Sequence, residues 1–279
     1  MSEEHENPIK DGIELKEMSF EIDMTQEIDD WICVLPHTTS FRDLESWIDA
    51  DENMIPDRSS IYSQAEDIWK GRISNLIPTK VYSKDIDKPI NTYEPGESSI
   101  AFRQKRHYLL CLNMVDQLNL TTHDQYIDPF VSEDMFIQVL MHHPVCKSRP
   151  EDIKNSVKAY YNGDYSTSIR LILPEFERLI RTFLKNEGAE ITKKLDEGKY
   201  EPKSLSHLLD VKEITEYLDK NDRFYFKFFL CDKAGYNIRN KDLHGLSVDK
   251  QQQQALRALW SFGYLTRKLR NYERWLKDN

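Results

Sequence analysis

Between Asp164 and Gly188 apolar side chains return every three or four positions, through Ile169, Leu171, Ile172, Leu173, Phe176, Leu179, Ile180, Phe183 and Leu184. That spacing gathers them on one side of a 3.6-residue helix. A helix with such a stripe has to bury it against other elements, so this segment commits the chain to a packed helical assembly. Asp164 or Ser166 supplies the N-cap and Gly188 the stop. Pro174, inside the run, predicts a kink near Arg170 or a helix that begins at the proline.

The neighbouring segments read the same way. Periodicity predicts helices over Phe41–Ile48, Ser59–Ile77, Ser98–Leu118, from Ser132 through Leu140, and Glu151–Tyr161, with Pro144 and Asn162-Gly163 as breaks. The 98–118 helix is apolar on more than one face (Tyr108, Leu109, Leu110, Leu112, Met114, Val115), which marks it as central to its lobe. Residues 78–97 hold Pro78, Pro89 and Pro95 among charges, and read as a long loop with one short strand near Val81. After an irregular piece around Lys199–Pro202 come short helices at 204–209 and 212–218 and a buried aromatic helix, Asp222–Cys231. A final helix, Asp249–Trp275, carries Leu256, Leu259, Trp260, Gly263, Tyr264 and Leu269 along one stripe. The fold class is therefore mainly α, with a C-terminal antiparallel bundle and an α-rich N-terminal lobe.

Charge divides the chain. Residues 1–150 hold 14 Lys+Arg against 28 Asp+Glu, and residues 151–279 hold 24 against 20. The sign change coincides with the polar, proline-bearing stretch Cys146–Glu151 and sets the expected organisation: a mobile tail at 1–15, an acidic lobe at 16–149 and a bundle at 150–279. Lys250, Arg257, Arg267, Lys268, Arg270, Arg274 and Lys277 bias the last thirty residues towards positive charge, as a solvated helix face or a phosphate-facing surface would. No apolar run reaches bilayer-spanning length and the N-terminus is acidic where a secretory signal would be basic, so a cytoplasmic protein without a membrane partner is expected. Cys33, Cys111, Cys146 and Cys231 are widely spaced, as buried reduced thiols would be. His142, His143 and Cys146 are near enough to share an ion, but adjacent histidines at a helix end suit a C-terminal cap better, and no metal or other cofactor is expected.

Residues 239–245 read Arg-Asn-Lys-Asp-Leu-His-Gly, a polar heptad between two helical segments. Arginine stays charged and forks onto phosphate oxygens, whereas histidine titrates near neutrality and passes protons either way. The pair suggests phosphodiester chemistry. Arg239-Asn240-x-x-x-His244-Gly245 resembles the signature of the HEPN superfamily, in the branch with the extended Arg-Asn-x-x-x-His-Gly form. Leu173-Pro-Glu-Phe-Glu-Arg-Leu-Ile-Arg181 is similar to a helix of the same branch, and the resemblance spans about residues 151–276.

That resemblance implies a helical bundle which dimerises so that two Arg-His motifs meet, making a metal-independent ribonuclease. Arg239 and His244 are then catalytic, and Asn240 orients its neighbours or the ribose. Gly245 permits a sharp turn. Tyr236 stacks on a base or packs in the core. Glu177 and Arg181, one helical turn apart, support the site or form an ordinary exposed pair. RNA, a second copy of the chain and a regulatory protein are the implied partners, the acidic lobe restraining access of RNA until moved. Two rivals stand beside this reading: a capping cluster that merely fixes the turn, and a non-catalytic RNA- or nucleotide-binding or scaffold module, of a kind found in toxin–antitoxin or defence systems.

Overall fold

The computed structural model describes residues 55–70, 78–83, 86–124, 131–141, 143–194, 198–243 and 251–270. These all belong to one compact unit, residues 36–279. The expected tail at 1–15 and the expected helix at 41–48 lie outside the described residues, as do His244 and Gly245.

Helix α1 (Arg58–Trp69) starts where the Asp57 carboxylate accepts from the backbone N–H groups of Ser59 and Ser60. The stretch expected to be mostly loop instead pairs with itself. β1 (Thr79–Ser83) and β2 (Ile86–Tyr93) form an antiparallel hairpin, with Thr79 opposite Tyr93 and Val81 opposite Asn91. The register slips on either side of Tyr82, the residue that faces Pro89. A proline cannot donate to a ladder, but a two-stranded hairpin has free edges on which its missing N–H is harmless.

α2 (Glu97–Thr122) packs on α1, and α3 (Glu133–Leu140) begins at the Ser132 cap. α4 (Pro144–Lys147) is a single turn capped by His143, whose Nδ1 accepts from the Val145 N–H at 3.2 Å. His143 thus caps the start of the following helix, in place of the C-terminal cap expected at the end of α3. α5 (Pro150–Tyr161) and α6 (Tyr165–Asn186) make a helical hairpin around Asn162-Gly163, tied inside by the Ser156 hydroxyl donating to the Ser168 carbonyl at 2.8 Å. α6 runs through Pro174, which removes one backbone donor from its ladder without ending it.

β3 (Thr192–Lys194) and β4 (Tyr200–Pro202) form a second small hairpin where an irregular piece was expected. Then follow α7 (Leu205–Leu208), a 3₁₀ turn (Lys212–Glu216), α8 (Lys220–Leu230), the short α9 (Ile238–Leu243) and α10 (Gln251–Lys268). α10 carries no one-sided stripe: every residue from Gln253 to Thr266 is buried. It is the axis of the bundle, touching α2, α3, α5 and α6. α2, expected to be central, leaves Leu110 58% exposed. The core between α6, α8 and α10 is aromatic. Phe176 meets Phe262 edge to face at 5.3 Å, and the Tyr225 hydroxyl lies 2.5 Å from that of Ser261.

The expected boundary near residue 150 falls within this single unit. α10 packs on α2 and α3, both from the acidic half, and Arg257 of α10 pairs with Asp116 of α2 where each is 3% exposed. Arg257 therefore belongs to the core, and does not extend a phosphate-facing surface. No helix among the described residues is long and apolar enough to cross a membrane.

Candidate functional site

The turn from α8 into α9 sets where Arg239 stands. Gly235 permits that turn, because a Cβ there would sit 2.2 Å from the carbonyl oxygen of Phe228. Asn237 takes a left-handed backbone at φ 52°, a conformation that asparagine tolerates better than most residues. The Asn240 side-chain amide donates to Asn237 Oδ1 at 2.6 Å and to the Cys231 carbonyl at 3.4 Å, stitching the first turn of α9 to the loop before it.

Tyr236 is 6% exposed, with its ring edge to face with Phe229 and its hydroxyl shared between Asn113 Oδ1 at 2.7 Å and the Asp116 carboxylate. Burial and the adjacent Asp116 charge hold the phenol far above its usual range, so it stays a neutral donor. No face of the ring is open to a base: of the two roles weighed for Tyr236, core packing is the one its surroundings allow. Its real service is to bolt the turn onto α2.

Arg239 meets Glu177 across 62 residues of sequence, Nη2 donating to Oε2 at 2.8 Å. The other oxygen of Glu177 accepts from Arg181, at 2.8 Å from Nε and 2.6 Å from Nη2. Arg181 also donates to the Lys203 carbonyl at 2.6 Å, so the relay is fixed to the chain beyond β4. Glu177 and Arg181 do form an i,i+4 pair, but one that reaches Arg239 and is largely shielded, with side chains 22% and 23% exposed. Two arginines sharing one carboxylate leave net positive charge, which favours an incoming anion.

The relay lines a cleft of about 510 Å³. Arg149, Arg178, Arg181 and Arg239 face Asp152, Glu175 and Glu177 there, with Leu173 and Pro174 as an apolar wall. Arg178 is bound to the buried Glu175 and to the Val145 carbonyl at 3.0 Å, so it braces α6 against α4. Arg149 is 68% exposed and reaches Asp152 only at 3.7 Å, which leaves it free to swing onto a ligand. Cys231 lies near Arg239, but burial pushes its thiol up against the arginine's opposing pull; it is a protonated neighbour and no nucleophile.

Of the seven residues singled out from sequence, the cleft gathers Arg239, Glu177 and Arg181. Asn240 and Tyr236 stand behind Arg239 as its support, and His244 and Gly245 lie outside the described residues. Sequence reasoning does not reach Arg149, Arg178 or Gly235. Arg149 is legible there only as part of a charged stretch that reads as a boundary, and Gly235 needs the path of α8 before its crowding becomes visible. Among the described residues no group of three or more His, Cys, Asp and Glu is placed to hold a metal ion. Comparison of the chain with family models, with curated proteins and with solved structures finds no match.

Proposed function

We propose that the protein is a metal-independent endoribonuclease of the HEPN type, acting as a homodimer in which two Arg239/His244 pairs share one scissile phosphate. One observation carries the reading: the arginine of the Arg-Asn-x-x-x-His sequence stands in the wall of an arginine-rich cleft, held by a carboxylate that is itself held by a second arginine. One His244 imidazole takes the proton of the RNA 2′-hydroxyl, whose oxygen attacks phosphorus. The other gives a proton to the departing 5′-oxygen as that P–O bond breaks, leaving a 2′,3′-cyclic phosphate and a 5′-hydroxyl. A two-fold axis supplies the second imidazole, as a symmetric dimer brings the same residue twice to one place.

In this reading Arg239 stabilises the extra negative charge of the phosphorane. Glu177 aims the guanidinium while no phosphate is bound, and the phosphate then takes up its remaining N–H groups. RNA is the substrate, and a regulatory protein would relieve repulsion by the acidic half.

Labelled RNA incubated in EDTA with wild type, His244→Ala and Arg239→Ala tests it. Wild type should cut and leave cyclic phosphate ends, and each variant should lose at least about a hundredfold in rate. Unaltered cutting by either variant, or none by wild type, would rule the enzyme out. The binding-module reading keeps one observation of its own: Glu177 already occupies Arg239. In that case Arg239→Ala weakens RNA binding in a protein that cuts nothing.

A further inference from the structure

A second cleft, of about 550 Å³, lies across the α4–α5 corner from the first. Lys147 of α4, Lys154 of α5 and Arg270, just beyond α10, face it against a single carboxylate, Asp134 of α3. Lys154 also touches Glu151 at 3.2 Å, but Glu151 is 72% exposed and such a pair holds little. Three cations around one acid are notable in a chain of net charge −10. Ile137 and Met141 give this cleft an apolar floor, and Gln138 sets an amide beside it. Cationic rim, apolar floor and amide suit the phosphate, the ring and the polar edge of a nucleotide.

The two clefts share one corner. Lys147 lines the second and Arg149 the first, two residues apart and so within about 7 Å along the backbone. On α5, Asp152 belongs to the first and Lys154 to the second, on opposite sides of the helix. A free anion fills one cleft; a ligand that uses both needs phosphates repeated along a flexible strand. We propose that the second cleft is a binding site for a nucleotide of single-stranded RNA, held on the same strand that enters the Arg239 cleft. This rests on the ribonuclease reading for the identity of the polymer.

Binding of full-length protein to labelled 2′-O-methyl oligouridylates, which cannot be cut by 2′-hydroxyl attack, tests the site. Lys147→Glu/Lys154→Glu should weaken a twelve-nucleotide probe at least about tenfold in low salt. Because the variant no longer neutralises two of the phosphates, the slope of log affinity against log salt should flatten by about 1.4. A dinucleotide, which fills the first cleft alone, should bind far less differently, and Lys147→Arg/Lys154→Arg should bind as wild type. An equal charge change at Lys193 and Lys194, on β3, controls for net charge and should have a small effect.

Unchanged affinity and slope in the glutamate variant, with binding still weakened by Arg239→Ala, would remove the second cleft and leave the first standing. Equal weakening of both probe lengths, or by the Lys193/Lys194 control, would also overturn it. Failure of wild type to bind either probe would remove both readings.

Discussion

Asp116 and Arg257 stand 141 residues apart in sequence and together form the most deeply buried ion pair among the described residues, with side chains 2% and 1% exposed. Burial works against the Arg257 charge most strongly of any single influence, but the Asp116 carboxylate together with the oxygens of Tyr225 and Tyr236 outweighs it and keeps the guanidinium ionised. Asp116→Asn should therefore cost about 3–5 kcal/mol by stranding a charge, whereas Asp116→Leu with Arg257→Met should cost much less than the sum of the single changes. Urea unfolding of the full cycle measures this, and simple additivity would contradict the pairing.

His123 poses the opposite case. Its ring stacks on Trp260 at 5.7 Å and lies near Phe136 and Tyr160, and burial pushes its pKa down to about 3. The unfolded chain thus binds a proton that the folded chain refuses. Stability from this residue is complete above about pH 6.5 and is lost, at about 1.4 kcal/mol per pH unit, as pH falls towards 3. Between pH 7.5 and 5.0 wild type should lose about 2 kcal/mol more than His123→Phe by urea unfolding; parallel losses would count against the burial of a neutral imidazole. At this scale the sequence can rank residue types but cannot pair them. Glu177 and Arg181 are visible in it as an i,i+4 pair, while the link from Glu177 to Arg239 needs the fold.

Elements are the most legible level, because caps and periodicity are local. Ser132, Asp164 and Gly188 act where the sequence puts them, and the aromatic segment before Cys231 is a helix. α8 opens on a capping box: Asp219 Oδ1 accepts from the Asp222 N–H at 2.8 Å, and Asp222 Oδ2 from the Asp219 N–H at 3.2 Å. Asp222 also accepts from the Tyr264 hydroxyl at 2.7 Å, joining α8 to α10. Asp219→Ala should cost about 1 kcal/mol. Asp222→Ala, which in addition leaves a buried hydroxyl without its acceptor, should cost about twice that or more; thermal melts giving equal losses would show that the tie to α10 adds nothing. The two hairpins are hard to read for a physical reason: short strands with prolines and charges carry little alternation. α10 reads as one-sided because its Gln253, Gln254, Arg257 and Ser261 look like surface residues until partners inside the bundle are known.

For the molecule as a whole, charge sign is a poor guide to boundaries. The acidic half, over its described residues, supplies α2 and α3 to the same core, so removal of residues 1–150 would strip Arg257 of its counter-charge as well as lifting any electrostatic restraint on RNA. The helical architecture is readable from pattern; its division into lobes is not, since composition shifts record surface chemistry and packing ignores them. If cleavage needs two copies of the chain, specific activity should fall on dilution below the dimer dissociation constant and recover on concentration. A rate per protomer that stays constant while ultracentrifugation shows dissociation would dismiss the shared site. α10 is enclosed on every side from Gln253 to Thr266 and comes last in order among the described helices. A ribosome must have delivered the chain through residue 266 before the centre of the bundle exists, so the helices made earlier wait with their apolar faces open during synthesis. Nascent copies of this protein should lean on holding chaperones until residue 266 has emerged.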